Sequence, residues 1–324
     1  MKIWRMRNMR VLGLLIVAGW VFLNSPQASA DYIKCVQYYK QGQFDKAIQE
    51  CKPDLDKNPD WESGHRLVGL CYLNLKNYAL AIVELSRAVQ LKSPAFVTYR
   101  GLALAYFNTN RLDNCIQTLN QGEPLAKDPN DLYDLHHLRG SAYYRQQQYD
   151  RADDDLTAAI RIRSNDWGDY SQLGVSYYNL DRYDEAAQAL QKALTLKPGE
   201  AITTEILGKT YFKMGVAALS AKQYSQALEL LHKASTYAPG NGYVFYNVGE
   251  ANLFLNNYAD AEKAFSQAQT LLPRNADVFQ RLGLVYERQK KWDQSLASYQ
   301  KANELSPSPA MKEAIARVTE LKKR

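Results

Sequence analysis

Apolar residues recur along this chain at spacings of three and four, as at Leu173, Tyr177, Ala186, Leu190, Ala193 and Leu194. That is the pattern of helices that bury one face. The pattern itself repeats. An aromatic or leucine marker stands at Phe44, Tyr78, Leu112, Tyr149, Tyr183, Tyr224, Tyr258 and Trp292, with gaps of 34, 34, 37, 34, 41, 34 and 34 residues. Three residues after each marker is a small side chain: Ala47, Ala81, Cys115, Ala152, Ala186, Ala227, Ala261 and Ser295. Nine residues before each is another: Cys35, Gly69, Ala103, Gly140, Gly174, Gly215, Gly249 and Gly283. Small residues on both helices let an antiparallel pair approach closely, and the marker plugs the turn between them. Asn58-Pro59, Lys197-Pro198-Gly199 and Ala238-Pro239-Gly240 end second helices, because proline cannot continue them. No such pair buries its apolar face alone, so neighbours must stack. The period predicts an all-α solenoid of helix-turn-helix repeats over 31–308, in units at 31–60, 61–94, 95–129, 130–165, 166–199, 200–240, 241–274 and 275–308.

The residues also carry a resemblance. Phe279-x-x-Leu282-Gly283-x-x-Tyr286 and Tyr170-x-x-Leu173-Gly174-x-x-Tyr177 resemble the first helix of a tetratricopeptide repeat. Ala186-x-x-x-Leu190, Ala193 and Pro198 resemble its second helix and stop. The resemblance covers nearly everything after residue 30. It is loosest in the first unit, where Cys35 stands in the glycine position, and in the third, with Ala103, Cys115 and Gly122 at the small positions. It implies a right-handed superhelical α-solenoid whose packing positions include Gly69, Ala81, Gly140, Ala152, Gly174, Ala186, Gly249, Ala261 and Gly283.

Two gaps depart from the beat. The 41-residue gap adds two helical turns and contains two glycine registers, Leu207-Gly208-x-x-Tyr211 and Met214-Gly215. One long first helix over 202–221 accounts for both, extending ~10 Å past its neighbours at 1.5 Å per residue. It is either a docking element or an in-phase insertion. The 37-residue gap is read as a longer loop through Gly122-Glu123-Pro124 and Lys127-Asp128-Pro129-Asn130, and as a flexible joint between the first three repeats and the rest.

The ends read differently. Lys2, Arg5, Arg7 and Arg10 precede 13 apolar or glycine residues, Val11 to Leu23; Asn24-Ser25-Pro26 breaks the run, and Ala28-Ser29-Ala30 follows. Residues 1–30 therefore read as a cleaved Sec-type signal peptide, cut between Ala30 and Asp31, since the run is shorter than the ~20 residues that span a bilayer. The mature chain is expected in the periplasm, soluble. The leader changes the charge argument: 40 basic against 34 acidic side chains becomes 36 against 34 without its four cations. Near-neutrality gives a nucleic-acid partner no support. At the far end Met311, Ala314, Ile315, Val318 and Leu321 form an apolar stripe opposite Lys312, Glu313, Arg317 and Glu320, so 309–324 reads as a capping helix.

A search for chemistry finds little. His136 and His137 are adjacent on one helix, ~100° apart, and cannot chelate one ion together. No His-x-x-x-His, Cys-x-x-Cys or Gly-rich phosphate loop occurs. Asp54-x-Asp56-x-Asn58 begins like a calcium loop, but Pro59 and His65 occupy its glycine and glutamate positions. Asp153-Asp154-Asp155, with Asp150, reads as a solvated acidic face. No catalytic residue, metal site or cofactor is expected, no small-molecule substrate is implied, and the chain reads as non-enzymatic. Cys35 and Cys51 fall roughly opposite each other in the first hairpin. They are either a disulfide or two small core residues. Cys115 reads as packing; Cys71 receives no role.

In tetratricopeptide proteins the first helices line the concave face that grips ligands. The resemblance places Arg66, Arg100, Phe107, Tyr144, Arg145, Tyr178 and Tyr246 on that face, with a protein or peptide binding along repeats 3–5. The chaperone-tail carboxylate clamp is not expected, because the corresponding pairs are Arg66/Leu70, Arg100/Leu104 and His137/Ser141. The function expected is a scaffold or adaptor. The alternatives are self-association into a homo-oligomer, or an accessory subunit of a polysaccharide or pilus export machine.

Overall fold

A computed structural model describes residues 30–323, with side chains from residue 32 onward. Residues 1–29 of the expected leader, 1–30, lie outside the described residues, so the export and cleavage readings rest on sequence. Among the described residues there are 17 α-helices, one 3-10 turn and no strand. They form eight hairpins: α1 (Ala30–Lys40) with α2 (Phe44–Lys57), α3 (Glu62–Asn74) with α4 (Tyr78–Gln90), α5 (Phe96–Asn108) with α6 (Leu112–Gly122), α7 (Pro129–Arg145) with α8 (Tyr149–Ile162), α9 (Trp167–Asn179) with α10 (Tyr183–Leu196), α11 (Ala201–Ser220) with α12 (Tyr224–Tyr237), α13 (Gly242–Phe254) with α14 (Tyr258–Leu271), and α15 (Ala276–Arg288) with α16 (Trp292–Leu305). A last helix, α17 (Pro309–Lys323), follows. The chain divides into two compact units, Met1–Asn165 and Asp166–Arg324, each described by itself.

Every marker is the first residue of a second helix. The turn before it is the same eight times. The residue two before the marker is left-handed: Gly42 at φ 74°, and Lys76, Asn110, Gln147, Asp181, Lys222, Asn256 and Lys290 at φ 58–61°. In the second hairpin the Lys76 N–H donates to the Leu73 carbonyl (3.0 Å) and the Asn77 N–H to the Tyr72 carbonyl (2.9 Å), closing the end of α3. Non-glycine residues pay ~1–2 kcal/mol in this conformation. Two recovered hydrogen bonds per turn, each worth ~1 kcal/mol net, offset that penalty.

The two columns of small residues meet inside each hairpin. All eight residues three after the markers are fully buried. At Gly69, Gly140, Gly174, Gly215, Gly249 and Gly283 an added Cβ would stand 2.6–3.0 Å from the residue seven after the marker, respectively Leu85, Leu156, Leu190, Leu231, Phe265 and Tyr299. Ser295 keeps its hydroxyl in this column by donating to the Gly283 carbonyl (2.8 Å). In the first hairpin the same two positions are Cys35 and Cys51, joined as a disulfide with Cα atoms 5.7 Å apart. Cys71 packs in the same core and Cys115 in the third hairpin's core. Burial pushes both thiols up to about 12.

The 37-residue gap is not a longer loop. Its extra residues lengthen α7, which at 17 residues starts one turn earlier than the other 13-residue first helices, with Asp128 capping the N–H groups of Asn130 and Asp131 (2.8 and 2.9 Å). Nor is it the joint. A Cβ at Gly122 would stand 2.5 Å from Tyr99, and Arg139 reaches across to Asn120 (2.8 Å) and Glu123 (2.9 Å), so the stretch is packed. The boundary between compact units falls a repeat later, after Asn165.

The 41-residue gap does give one long helix, the 20-residue α11. Gly215 keeps the usual hairpin contact, while Gly208, two turns earlier, packs on Tyr237 and Ala238 at the end of α12. Thr203, Leu207 and Thr210 are fully buried, and Glu200 accepts from the Thr203 N–H and hydroxyl (2.7 Å each). The two extra turns are packed and capped. At the end of the second unit α17 lays Met311, Ala314 and Val318 against Phe279, Tyr299 and Ala302, and Arg317 holds Glu287 with two hydrogen bonds of 3.0 Å.

Candidate functional site

Hairpin formation uses up the residues facing between the two helices of a pair. What remains for a partner is the face of the first helices turned away from their own second helices. In the first unit that face begins with a correction. Arg66 is only 2% exposed; its guanidinium lies against Glu62 (3.1 Å), one turn back on α3. It belongs to the packed interior: α1 and α5 both pack against α3, and Tyr32 of α1 hydrogen-bonds with it. Arg100 is half-buried and forms an ion pair with Asp134 on α7.

Phe107 and Arg145 come together. The Arg145 guanidinium lies 3.8 Å from the Phe107 ring centroid and Nη1 donates to the Phe107 carbonyl (3.3 Å). Arg145 itself is exposed, and Leu104, one turn before Phe107, is 37% exposed. Tyr144 is half-buried against its own marker Tyr149, centroids 6.2 Å apart, and burial raises its phenol. In the second unit Tyr178 packs in the same way on Tyr183, at 5.8 Å. Tyr246 packs on Phe265 (5.6 Å) and accepts from Arg281 Nε (3.5 Å), which also meets Glu250 (2.9 Å). Pinning an aromatic to its own marker takes it partly out of reach. Arg145, Phe107 and Leu104 form the most open cluster.

Sequence reasoning tested the histidines only as metal ligands and missed their role. His65 Nδ1 meets Glu84 (2.6 Å) and its Nε2 meets the Pro59 carbonyl (2.9 Å); His136 Nδ1 meets Asp155 (2.8 Å). Both histidines stand thirteen residues before a marker and both acids six after one. Five of the other six hairpins carry Tyr99, Tyr170, Tyr211, Phe245 and Phe279 in the histidine position, opposite Thr118, Ala189, Leu230, Ala264 and Ser298; the first has no ring in this register, with Asp31 and Glu50 at the two positions. Where a ring sits here, it is Tyr or Phe when its neighbour is small or uncharged, and imidazole when its neighbour is an acid. That internal covariation was readable in the sequence. Burial would raise Asp155, but hydrogen bonds from His136 and Arg139 overcome it and hold the carboxyl below the usual carboxylate range. Asp131, half-buried and beside Asp128 at the start of α7, is pushed up to about 6.

Two depressions flank the hairpins. One of about 570 Å³ is lined by Gly199, Ala201, Thr204, Tyr237, Ala238 and Asn241, beside the overhang of α11. The other, of about 340 Å³, lies beside the His65–Glu84 pair. Among the described residues no group of three or more His, Cys, Asp or Glu side chains is placed to hold a metal ion, and no helix is long and apolar enough to cross a membrane.

Stacked hairpins with a glycine-on-leucine contact and an identical left-handed turn define a helical-repeat protein. Comparison with known proteins makes the class specific. Models of the tetratricopeptide repeat match residues 218–269 and 249–309, and the model of anaphase-promoting complex, cyclosome, subunit 3 matches residues 121–193. The chain is a tetratricopeptide-repeat protein, with helices for about eight repeats. No curated protein matches it. Similar solved structures include YrrB, described as a TPR protein with an unusual peptide-binding site (19% identity, 60% of this chain and 96% of that one, TM-score 0.48). Another is MamA, residues 41 to the end, from Desulfovibrio magneticus RS-1 (24% identity, 55% and 97%, TM-score 0.38). A third is the APC/C hetero-tetramer Cut9–Hcn1 (17% identity, 91% and 57%, TM-score 0.36).

Proposed function

We propose that this chain is an exported, non-enzymatic scaffold that holds a protein or peptide in the periplasm on the first-helix face of its first unit. The tetratricopeptide fold is consistent with a protein-binding scaffold. The observation that carries the finer reading is the Leu104–Phe107–Arg145 cluster. An exposed leucine and an exposed arginine, its guanidinium 3.8 Å from the ring centroid of a half-buried phenylalanine, stand together on this face, the chemistry of an interface hot spot. Support for export comes from the leader sequence and from a bridged cysteine pair, which persists in oxidising compartments.

The test is capture of periplasmic proteins by the full chain and by Phe107→Ala and Arg145→Ala, with melting temperature as the folding control. A partner retained by the wild type and lost from both variants at unchanged melting temperature is the expected result. Equal capture by all three sinks the choice of face. Recovery of the chain in the membrane fraction after alkaline washing sinks the soluble periplasmic assignment.

A second reading, self-association, draws on the outer face of α4. The positions one, two and five after the marker are mostly polar in the other second helices, as Asp45, Lys46 and Gln49 in α2. In α4 they are Ala79, Leu80 and Val83, with Leu80 41% and Val83 61% exposed. Light scattering on the wild type and on Val83→Glu separates this from a monomeric scaffold.

A further inference from the structure

The four first helices of the first unit end on Lys40, Asn74, Asn108 and Arg145. All four are exposed and stand four residues before a marker, so they share one register across successive hairpins. The row carries nitrogen side chains at every step and no carboxylate. The acids on the same helices that face neighbouring arginines are already used: Glu62 by Arg66 and Asp134 by Arg100. Asn74 and Asn108 each donate Nδ2 to the carbonyl one turn back (2.8 Å both), which fixes the carboxamide; Asn74 also bonds the Tyr39 hydroxyl, so Asn108 is the amide that keeps a second N–H for a partner. Contact with Phe107 holds the Arg145 guanidinium 3.8 Å from the ring centroid, and its one bond to the Phe107 carbonyl leaves most of its five donors unspent. Leu104, one turn before Asn108, supplies an apolar contact beside the donors.

We infer that this row receives an extended, acidic segment of a partner protein. Its carboxylate pairs with Arg145, an aliphatic side chain rests on Leu104 and Phe107, and a backbone carbonyl meets the Asn108 amide. The sign of the charge decides the class. The ends of the helices contribute a partial negative charge of about half an elementary charge each, largely neutralised where turn N–H groups bond the last carbonyls. Lys40 and Arg145 contribute full positive charges, and among the described residues neither forms an ion pair with an acid; the nearby Asp113 is held by Gln146 (2.7 Å). Anionic segments are therefore favoured and cationic ones repelled. First-helix spacing also suits an extended chain: helices pack ~8–10 Å apart, about three residues of extended backbone at ~3.3 Å each.

The inference rests on the first-helix face being the binding face, and the experiment keeps the two apart. Three fluorescein-labelled nonapeptides are titrated into the full chain by fluorescence anisotropy: alternating Leu and Asp, the same with Asn for Asp, and the same with Lys for Asp. The Asp peptide is expected to bind at least ten-fold more tightly than the Asn peptide and to weaken as salt rises. Arg145→Ala should abolish that ten-fold preference, while Arg145→Lys restores only part of it, because an ammonium cannot lie flat and present a fork. Both variants should melt as the wild type does. An Asn or Lys peptide that binds as tightly as the Asp peptide, no binding of the Asp peptide, or a preference unchanged in Arg145→Ala each overturns the inference. If in that case Leu104→Ala or Phe107→Ala still weakens the peptide that does bind, the face survives and only the acidic class is lost. If no bound peptide responds to any of these substitutions, the face falls as well.

Discussion

The first hairpin and the fifth solve one packing problem in two ways. In the fifth, Gly174 lets Leu190 approach so closely that an added Cβ would lie 2.6 Å from it. In the first, the same two positions are Cys35 and Cys51, and a covalent bond replaces the contact. The fifth contact is dispersive and depends on the fit of its neighbours. The first holds its helices together whatever flanks them. Among the described residues α1 and α2 pack on one neighbouring hairpin only, so the covalent solution appears where stacking supplies least. A repeat is therefore defined by the distance between two positions, which more than one chemistry can set.

The most damaging test of this comparison is Cys51→Ala. It removes a disulfide between residues 16 apart, and is expected to cost about 3 kcal/mol. Hydrogen exchange should show the loss in α1 and α2 and leave α9 to α17 unchanged. Uniform loss over both units would mean that the hairpins are not locally stabilised. The swap Cys35→Gly with Cys51→Leu, which installs the fifth hairpin's pair in the first, should recover about half of that loss.

The converse substitution attacks the other side. Gly174→Leu overpacks the contact with Leu190 and should cost about 2–3 kcal/mol, read as a drop in denaturation midpoint. A neutral outcome would show that the glycine column is not close-packed.

An electrostatic test separates hairpins two and four from their aromatic counterparts. Asp155 has its folded pKa depressed, so the stability it contributes is present above its unfolded pKa of about 4 and is lost as pH falls through the folded value. The wild type should exceed Asp155→Asn in stability at pH 7, and that advantage should shrink steadily below pH 4. An advantage independent of pH would assign it to packing.

The smallest effects sit in the turns. Gly42→Ala places a Cβ at φ 74° and should destabilise by about 1 kcal/mol, while Lys76→Gly at φ 60° should change stability by less than about 1 kcal/mol in either direction. Thermal melts of the two variants check both signs.

The hairpins, the marker positions and the two small-residue columns could be read from the chain before any coordinates, as could the length of α11 and the apolar stripe of α17. Each depends on helical periodicity and on sterics inside one repeat, and eight copies in phase make the signal plain. The left-handed residue two before each marker escaped notice because only Gly42 advertises it; Lys76, Gln147 and Asp181 take up the conformation because two backbone hydrogen bonds require it. Arg66 looked like a groove residue because its register is right, yet it is buried, pairs with Glu62 and is met by Tyr32 of α1. The extra residues before Tyr149 looked like loop because they contain Gly122 and Pro129, but Pro129 is tolerated in the first turn of a helix and Asp128 caps it, so they lengthened α7 instead. Local rules decided which residues make a hairpin. Which polar side chains remain available to a partner, and where one compact unit gives way to the next, depended on surfaces contributed by other repeats, because burial and ion pairing are properties of contacts between residues far apart in the chain.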